Sequence, residues 1–91
     1  MNKAYVYILE CYDKTYYTGY TTNLKKRIIS HNNKKASKYT RTRTPVKYVF
    51  TKEFNNKNEA MSYESKVKRL TRLQKEKLIQ NPDSFDELFN N

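Results

Sequence analysis

The first part of the chain carries the hydrophobic pattern of a β-hairpin. Residues 4 to 11 are apolar or aromatic on both faces, which is typical of a strand at the centre of a sheet. A turn at residues 12 to 14 leads into a second strand at about 15 to 20. These patterns predict a hairpin over about residues 4 to 20.

The middle of the chain changes from strand to helix and back. Thr21 or Thr22 is expected to cap a helix over about residues 23 to 33. Pro45 then begins a second strand-like run, Val46 to Phe50. The segment between this helix and this strand is rich in Lys and Arg, and we predict a loop there.

Two capping sequences begin the last two predicted helices, which run over about residues 57 to 70 and 72 to 80. The capping pairs are Asn56 with Glu59 and Thr71 with Gln74. Beyond them, residues 81 to 91 are acidic, and Phe85, Leu88 and Phe89 share one helical face. A short acidic C-terminal helix or tail is expected there, with Pro82 in its first turn.

The order β-β-α-β-α-α predicts one small domain over residues 1 to 91, with its core at about 4 to 80. Such a chain can form a three-stranded sheet, mixed or antiparallel, with helices packed on it. The fold class is therefore α/β or, with an antiparallel sheet, α+β.

Composition narrows the class of protein. The chain has 91 residues, of which 36% are hydrophobic and 14% aromatic, so one compact core is possible and a second domain is not. One Cys excludes an intramolecular disulfide and a Cys-rich zinc site. No apolar run approaches a signal sequence or a membrane span, so we expect a cytoplasmic protein with no membrane partner.

Positive charge is concentrated in one window of the sequence. Nineteen Lys and Arg against nine Asp and Glu give a formal net charge of +10. No acidic residue lies between Asp13 and Glu53, and the densest part of this window is residues 34 to 44, the basic segment. A solvated loop is the alternative, but the absence of acids favours contact with a polyanion such as nucleic acid. The residues expected to contact it are Gly19, Lys25, Lys26, Lys34, Lys35, Lys38, Tyr39, Arg41 and Arg43.

Two polar residues lie on or beside the inward stripe of the first predicted helix. Arg27 and His31 are four residues apart and therefore face the same place. Either residue alone could be structural, with Arg27 reaching solvent and His31 bonded to a carbonyl. Together they suit a phosphate, because Arg offers a planar fork and His can move a proton near neutral pH.

Other candidates lie on the hairpin and on the second long helix. Tyr7, Tyr17 and Gly19 occupy odd positions and can share one sheet face, and a strand glycine often marks a close approach to the backbone. Glu64 stands beside an apolar stripe, where Lys68 could be its ion-pair partner. It could equally be the carboxylate that a nuclease needs for a divalent cation.

In order and spacing, these residues resemble the GIY-YIG nuclease superfamily, and most closely its small stand-alone bacterial members. The similarity covers about residues 4 to 80. Tyr5-Val6-Tyr7 stands at the first triplet and Tyr17-Thr18-Gly19 at the second, while Tyr20 stands where some members carry a lysine.

The resemblance implies a GIY-YIG fold and a set of roles. Glu64 would hold a single Mg²⁺ or Mn²⁺, and Arg27 would stabilise charge on the phosphate. Tyr7 would orient or deprotonate water, with its pKa lowered by nearby cations, and His31 would relay the proton. Tyr17 would position the phosphate or the water. No small-molecule cofactor is implied.

Three hypotheses for function follow. The first is a metal-dependent endonuclease that hydrolyses phosphodiester bonds, with DNA a better candidate than RNA. The second is a binding module that keeps the basic face and cleaves little or nothing. The third, a basic protein that docks on an acidic protein, explains the charge but not the five candidate catalytic residues.

Overall fold

The computed structural model describes residues 3 to 85 and has an α+β fold. The strands are β1 (Ala4–Glu10), β2 (Tyr16–Thr21) and β3 (Lys47–Phe54). The helices are α1 (Leu24–Asn32), α2 (Lys38–Arg41), α3 (Lys57–Lys68) and α4 (Arg72–Gln80), followed by a 3₁₀ turn at Pro82–Ser84. The predicted fold class and element order are confirmed, apart from the additional helix α2.

The sheet has the order β2-β1-β3, and both pairs of neighbours are antiparallel. The apolar strand β1 is therefore central, as its two-faced pattern predicts. Tyr7 pairs with Gly19 on one side and with Thr51 on the other. This register decides which side chains of the hairpin face each other.

Each face of the sheet has its own hydrophobic core. On one face, Val6 and Ile8 pack with Val67 of α3 and Leu78 of α4, and all four are fully buried. On the other face, Tyr7, Leu9 and Cys11 pack with Val46, and partly buried residues of α1 lie against them. Burial of one such large apolar side chain contributes about 1.5–3 kcal/mol to stability. The candidate site takes Tyr7 from the second face and Glu64 from α3, which packs on the first.

The caps of the helices differ in part from those expected. Asn23, and not Thr21 or Thr22, is the N-cap of α1, because its side chain accepts a hydrogen bond from the amide of Lys26. Thr21 still ends β2, and its hydroxyl accepts from the Asn23 amide. At α4, Thr71 and Gln74 form the complete reciprocal capping box.

Two further boundaries depart from the pattern. The strand β3 extends to Phe54, since its exposed end pairs with the start of β1 and needs no apolar run. The loop predicted in the basic segment contains α2, four residues long and too short to show a helical period. Ser37 caps it by accepting from the Tyr39 amide.

The predicted C-terminal helix lies largely beyond the described residues, which include Phe85 but not Leu88 or Phe89. Phe85 stacks on Tyr63 with a ring separation of 4.0 Å. Pro82 begins the 3₁₀ turn that precedes it. Among residues 3 to 85, no helix has the length and apolar character required to span a membrane.

Candidate active site

One cleft of about 360 Å³ brings together side chains from β1, β2, α1 and α3. It is lined by Tyr7, Tyr17, Gly19, Tyr20, Thr21, Thr22, Arg27, Lys57 and Glu64. Four of the five residues expected to be catalytic are in this lining. The fifth, His31, is fully buried behind Tyr7 and does not line the cleft.

Tyr7 connects the cleft to His31. The Tyr7 hydroxyl lies 2.9 Å from His31 Nε2, and the side chains are 1% and 0% exposed. The two rings meet edge to face with centroids 5.8 Å apart. A proton can therefore pass between the phenol and the imidazole without crossing water.

Gly19 makes room for this phenol. A Cβ at position 19 would lie 2.6 Å from Tyr7 Oη and 2.8 Å from Cζ. Both distances are shorter than van der Waals contact, so any larger residue would displace the ring. The close approach that the strand glycine predicts is thus made by Tyr7. Gly19 is buried but also lines the cleft, and its contact with nucleic acid stays a prediction.

His31 is held in its neutral form. Burial, with a smaller contribution from the positive charge of Arg27, lowers its pKa to about 4. At neutral pH the imidazole therefore carries one proton and keeps one nitrogen lone pair. Its other nitrogen, Nδ1, lies 2.9 Å from the hydroxyl of Thr40 in α2.

The pKa of Tyr7 moves in the direction opposite to the one expected. Burial raises the pKa of its phenol, and the lowering effect of Arg27 is smaller than that of burial. The expectation that nearby cations depress this pKa is wrong for the protein alone. Tyr7 is protonated at neutral pH, so it needs an acceptor for its own proton before it can take one from water.

Glu64 is the carboxylate of the cleft. Its side chain is 15% exposed and lies 3.4 Å from the Lys68 ammonium, one turn further along α3. Residues 3 to 85 contain no group of three or more acidic, His or Cys side chains that could enclose a metal ion. One carboxylate is nevertheless sufficient for Mg²⁺, which keeps several waters and uses substrate phosphate oxygens as ligands. The Lys68 ammonium contacts one of the two carboxylate oxygens, Oε2.

Two cations line the cleft from different helices. Arg27 comes from α1 and Lys57 from the start of α3. Neither side chain forms an ion pair with another residue between 3 and 85. Their charge is therefore available to an anion, and a phosphate between them would be approached from two sides.

The basic segment divides into free and engaged residues. Lys34, Lys35, Lys38 and Arg41 are exposed, as are Lys25 and Lys26 of α1. Arg43 is engaged: its Nε lies 3.0 Å from Asp13, and its guanidinium lies 4.0 Å over the Tyr39 ring. Tyr39 in turn stacks on Tyr17 with centroids 5.9 Å apart. Through these contacts, Arg43 and Tyr39 pack against Tyr17, which lines the cleft.

A second groove, of about 660 Å³, continues from the cleft along α1. The two share Thr21, Thr22 and Arg27. Lys26 and Lys35 line the groove, so they extend the positive lining of the cleft. The remaining exposed lysines of the window do not line either cavity.

Sequence reasoning missed three residues of this region. Thr40 contacts His31, Tyr48 packs edge to face against Tyr7 at 5.4 Å, and Lys57 lines the cleft. Lys57 could have been found, because it precedes Glu64 by seven residues and shares its helix face. Thr40 and Tyr48 gave no signal, since only the tertiary fold brings them to the hairpin.

Comparison with known proteins identifies the family of this chain. A sequence description of the GIY-YIG catalytic domain matches residues 3 to 77. The UPF0213 protein YsiG of Lactococcus lactis subsp. lactis is 54% identical over 90 residues, which are 98% of this chain and 86% of that protein. A UPF0213 protein of Streptococcus pneumoniae is 50% identical, over 86% of this chain and 79% of its own.

Solved structures show the same fold. The solution structure of a UPF0213 protein from Bacillus halodurans matches with a TM-score of 0.57 and 50% identity, over 86% of this chain and 83% of that chain. A protein from E. faecalis matches with a TM-score of 0.61 and 38% identity, over 88% and 85%. The chain therefore belongs to the GIY-YIG superfamily, a nuclease superfamily, and is similar to the small single-domain proteins of the UPF0213 group.

Proposed function

We propose that the cleft hydrolyses phosphodiester bonds of DNA with the help of one divalent cation. The observation that carries the proposal is the contact between the Tyr7 hydroxyl and a neutral, buried His31, in a cleft that also holds Arg27 and Glu64. A structural tyrosine and histidine do not require an arginine and a carboxylate beside them. Together, the four groups can supply the proton transfer, the charge stabilisation and the metal ligand that metal-dependent phosphodiester hydrolysis uses.

In the proposed reaction, a water oxygen attacks the phosphorus atom and the bond from phosphorus to the leaving oxygen breaks. The water proton passes to Tyr7 Oη while the Tyr7 proton passes to His31 Nε2. The leaving oxygen takes a proton from solvent, and His31 later releases its proton. Because His31 accepts the proton, Tyr7 acts as a base without first becoming a free phenolate.

Arg27 and Glu64 have separate tasks. Arg27 places its guanidinium against the phosphate and stabilises the negative charge of the transition state. The carboxylate of Glu64 would hold Mg²⁺ or Mn²⁺, and such an ion supplies Lewis-acid stabilisation of the phosphoryl oxygens when bound. Tyr17, on the same face as Tyr7, would position the phosphate or the water.

Binding is proposed to extend from the cleft into the groove along α1. Lys26 and Lys35 would contact phosphates of the strand that leaves the cleft, and the exposed lysines beyond them would add non-specific attraction. The mechanism uses an external water and needs no 2′-hydroxyl. DNA is therefore a sufficient substrate, and a matched RNA tests whether the sugar is discriminated.

The test is a screen with labelled DNA and highly purified protein. Duplex, flap, Holliday-junction and single-stranded substrates, with one RNA counterpart, would be incubated with Mn²⁺, with Mg²⁺ and with EDTA. Cleavage of at least one substrate with metal and none with EDTA supports the proposal. Cleavage of none, with DNA still bound, favours the alternative of a binding module, for which the Glu64–Lys68 ion pair is the supporting observation.

A further inference from the structure

Thr40 contacts the side of His31 that faces away from the cleft. Its hydroxyl oxygen lies 2.9 Å from His31 Nδ1 and 3.4 Å from the carbonyl oxygen of Ser37. Thr40 and His31 are both 0% exposed. Because solvent does not reach these atoms, their hydrogen bonds must be formed within the protein.

The contact between the Thr40 hydroxyl and the Ser37 carbonyl favours one direction for these hydrogen bonds. A carbonyl oxygen only accepts, so Thr40 donates its single proton to it. The Thr40 oxygen is then the acceptor for His31, and Nδ1 is the nitrogen that carries the ring proton. The other nitrogen, Nε2, keeps its lone pair and faces the Tyr7 hydroxyl at 2.9 Å.

We propose that Thr40 is a positioning residue that fixes His31 in the Nδ1–H tautomer, so that Nε2 can accept the proton of Tyr7. In the opposite tautomer, Nε2–H would donate to Tyr7 Oη and could accept nothing. The catalytic consequence rests on the proposed function. The tautomer itself is a property of the folded protein and exists without a substrate.

The position of Thr40 explains why α2 interrupts the basic segment. Ser37 caps the helix, and the resulting turn places Thr40 beneath α1 while Lys38 and Arg41 remain exposed. The same four residues thus carry an inward hydroxyl and outward charges. Through Thr40, the basic segment therefore contacts His31, the residue that is hydrogen-bonded to Tyr7 of the cleft.

The first measurement is a ¹⁵N–¹H correlation spectrum of the imidazole at about pH 7, well above the lowered pKa of His31. The chain has a single His, so a preparation without a histidine tag gives an unambiguous signal. We expect the Nδ1–H pattern in the wild type and in Thr40→Ser, which keeps the hydroxyl. In Thr40→Val, we expect the equilibrium to move at least tenfold towards the Nε2–H form.

The second measurement is cleavage of the substrate found in the screen. Thr40→Val should lower kcat by roughly 10²-fold with little change in KM, which is the lower end of the contribution of general base catalysis. Thr40→Ser should recover most of the loss. Thr42→Val removes an exposed hydroxyl from the end of the same helix and should behave as wild type.

The results separate this inference from the proposed function. An Nε2–H tautomer in the wild type, or an unchanged spectrum in Thr40→Val, overturns the role of Thr40. A shifted tautomer with unchanged kcat overturns it as well. If the wild type shows the Nδ1–H form, Thr40→Val shifts it and the wild type cleaves nothing, the positioning by Thr40 stands and the proposed function fails. If Thr40→Val does not fold, an Nε2–H spectrum of the wild type still overturns the proposal, and an Nδ1–H spectrum supports it.

Discussion

The side chains around the cleft are held by specific contacts, whereas those of the basic segment are mostly exposed. Around the cleft, Tyr7, His31 and Thr40 form a buried relay in which each polar atom has a partner at a defined distance. In the basic segment, most charged side chains are exposed and form no ion pair with another residue between 3 and 85. Chemistry therefore depends on a few exact contacts in the relay, whereas binding depends on the total charge of the segment.

The largest expected effect is the loss of the Tyr7 hydroxyl. Tyr7→Phe keeps the buried ring but removes the group between water and His31. The cleavage rate should fall by about 10³-fold, within the range for a missing general base, while DNA binding changes less than about threefold. Single-turnover cleavage and a binding titration measure the two effects. Tyr5→Phe is the control on the same strand, and an equal loss there would contradict the comparison.

A large effect on stability is expected at acidic pH. The pKa of His31 is about 4 in the folded protein and 6.5 when unperturbed, so between these values the unfolded chain binds the extra proton. Stability should be fully present above pH 6.5 and decline as the pH falls towards 4. The decline from His31 is at most roughly 3 kcal/mol, given 1.36 kcal/mol per pKa unit.

Urea unfolding of the wild type and of His31→Gln at several pH values measures this contribution. The variant has no imidazole to titrate, so the difference in stability between the two proteins should shrink as the pH falls. Parallel curves for both proteins would show that His31 is not held neutral by burial. The environment of His31 would then not differ from the surface in its effect on the charge of the imidazole.

A smaller effect is expected from Gly19→Ala. Its methyl group would lie 2.6 Å from Tyr7 Oη and should move the phenol away from His31. Overpacking of this kind costs about 1–3 kcal/mol of stability, and we expect a roughly tenfold to hundredfold loss of rate. Thermal unfolding and single-turnover rates measure these effects.

A double-mutant cycle tests the cause. In Tyr7→Phe, the closest atom to the new methyl group is gone, so Gly19→Ala should have less effect on rate in that background than in the wild type. Additive losses would mean that Gly19 acts independently of the phenol. Its predicted contact with nucleic acid would then be the better explanation.

The smallest effects belong to single cations. Lys57→Ala should weaken DNA binding about three- to tenfold because it removes one phosphate contact from the cleft, and it should reduce the salt slope by about one. Lys34→Ala in the basic segment should change affinity less, since that residue lines neither cavity. Binding titrations at several salt concentrations distinguish them, and equal effects would remove the distinction between cleft and surface charge.

The sequence was sufficient to predict the fold and which residues share a face of a strand or helix. It was insufficient to predict how deeply each of these residues is buried. Alternation in β1 and β2 predicted that Tyr7, Tyr17 and Gly19 lie together, because strand geometry has a fixed period. The helical period likewise placed Arg27 and His31 on one face. It could not tell that His31 lies behind Tyr7, because burial is set by the packing of α1 and α2 on the sheet.

Contacts made by the basic segment were beyond prediction for a related reason. Thr40 reaches His31 across nine residues of chain through a four-residue helix, and no local pattern marks such a contact. The same holds for Arg43, whose charge suggested phosphate binding but whose guanidinium is committed to Asp13 and Tyr39. The sequence predicts whether a surface is positively or negatively charged. Only the fold shows which cationic side chains are already engaged in contacts within the protein.

The most direct test of the central claim compares wild type with Glu64→Gln, both highly purified, on one DNA substrate with Mn²⁺. Wild type should cleave with metal and not with EDTA. Glu64→Gln should lose cleavage by about 10³-fold, equivalent to several kcal/mol of transition-state stabilisation, and should bind DNA nearly as well. Glu59→Gln, an exposed change on the same helix, should leave the rate unchanged. Cleavage by Glu64→Gln as fast as wild type would contradict the account.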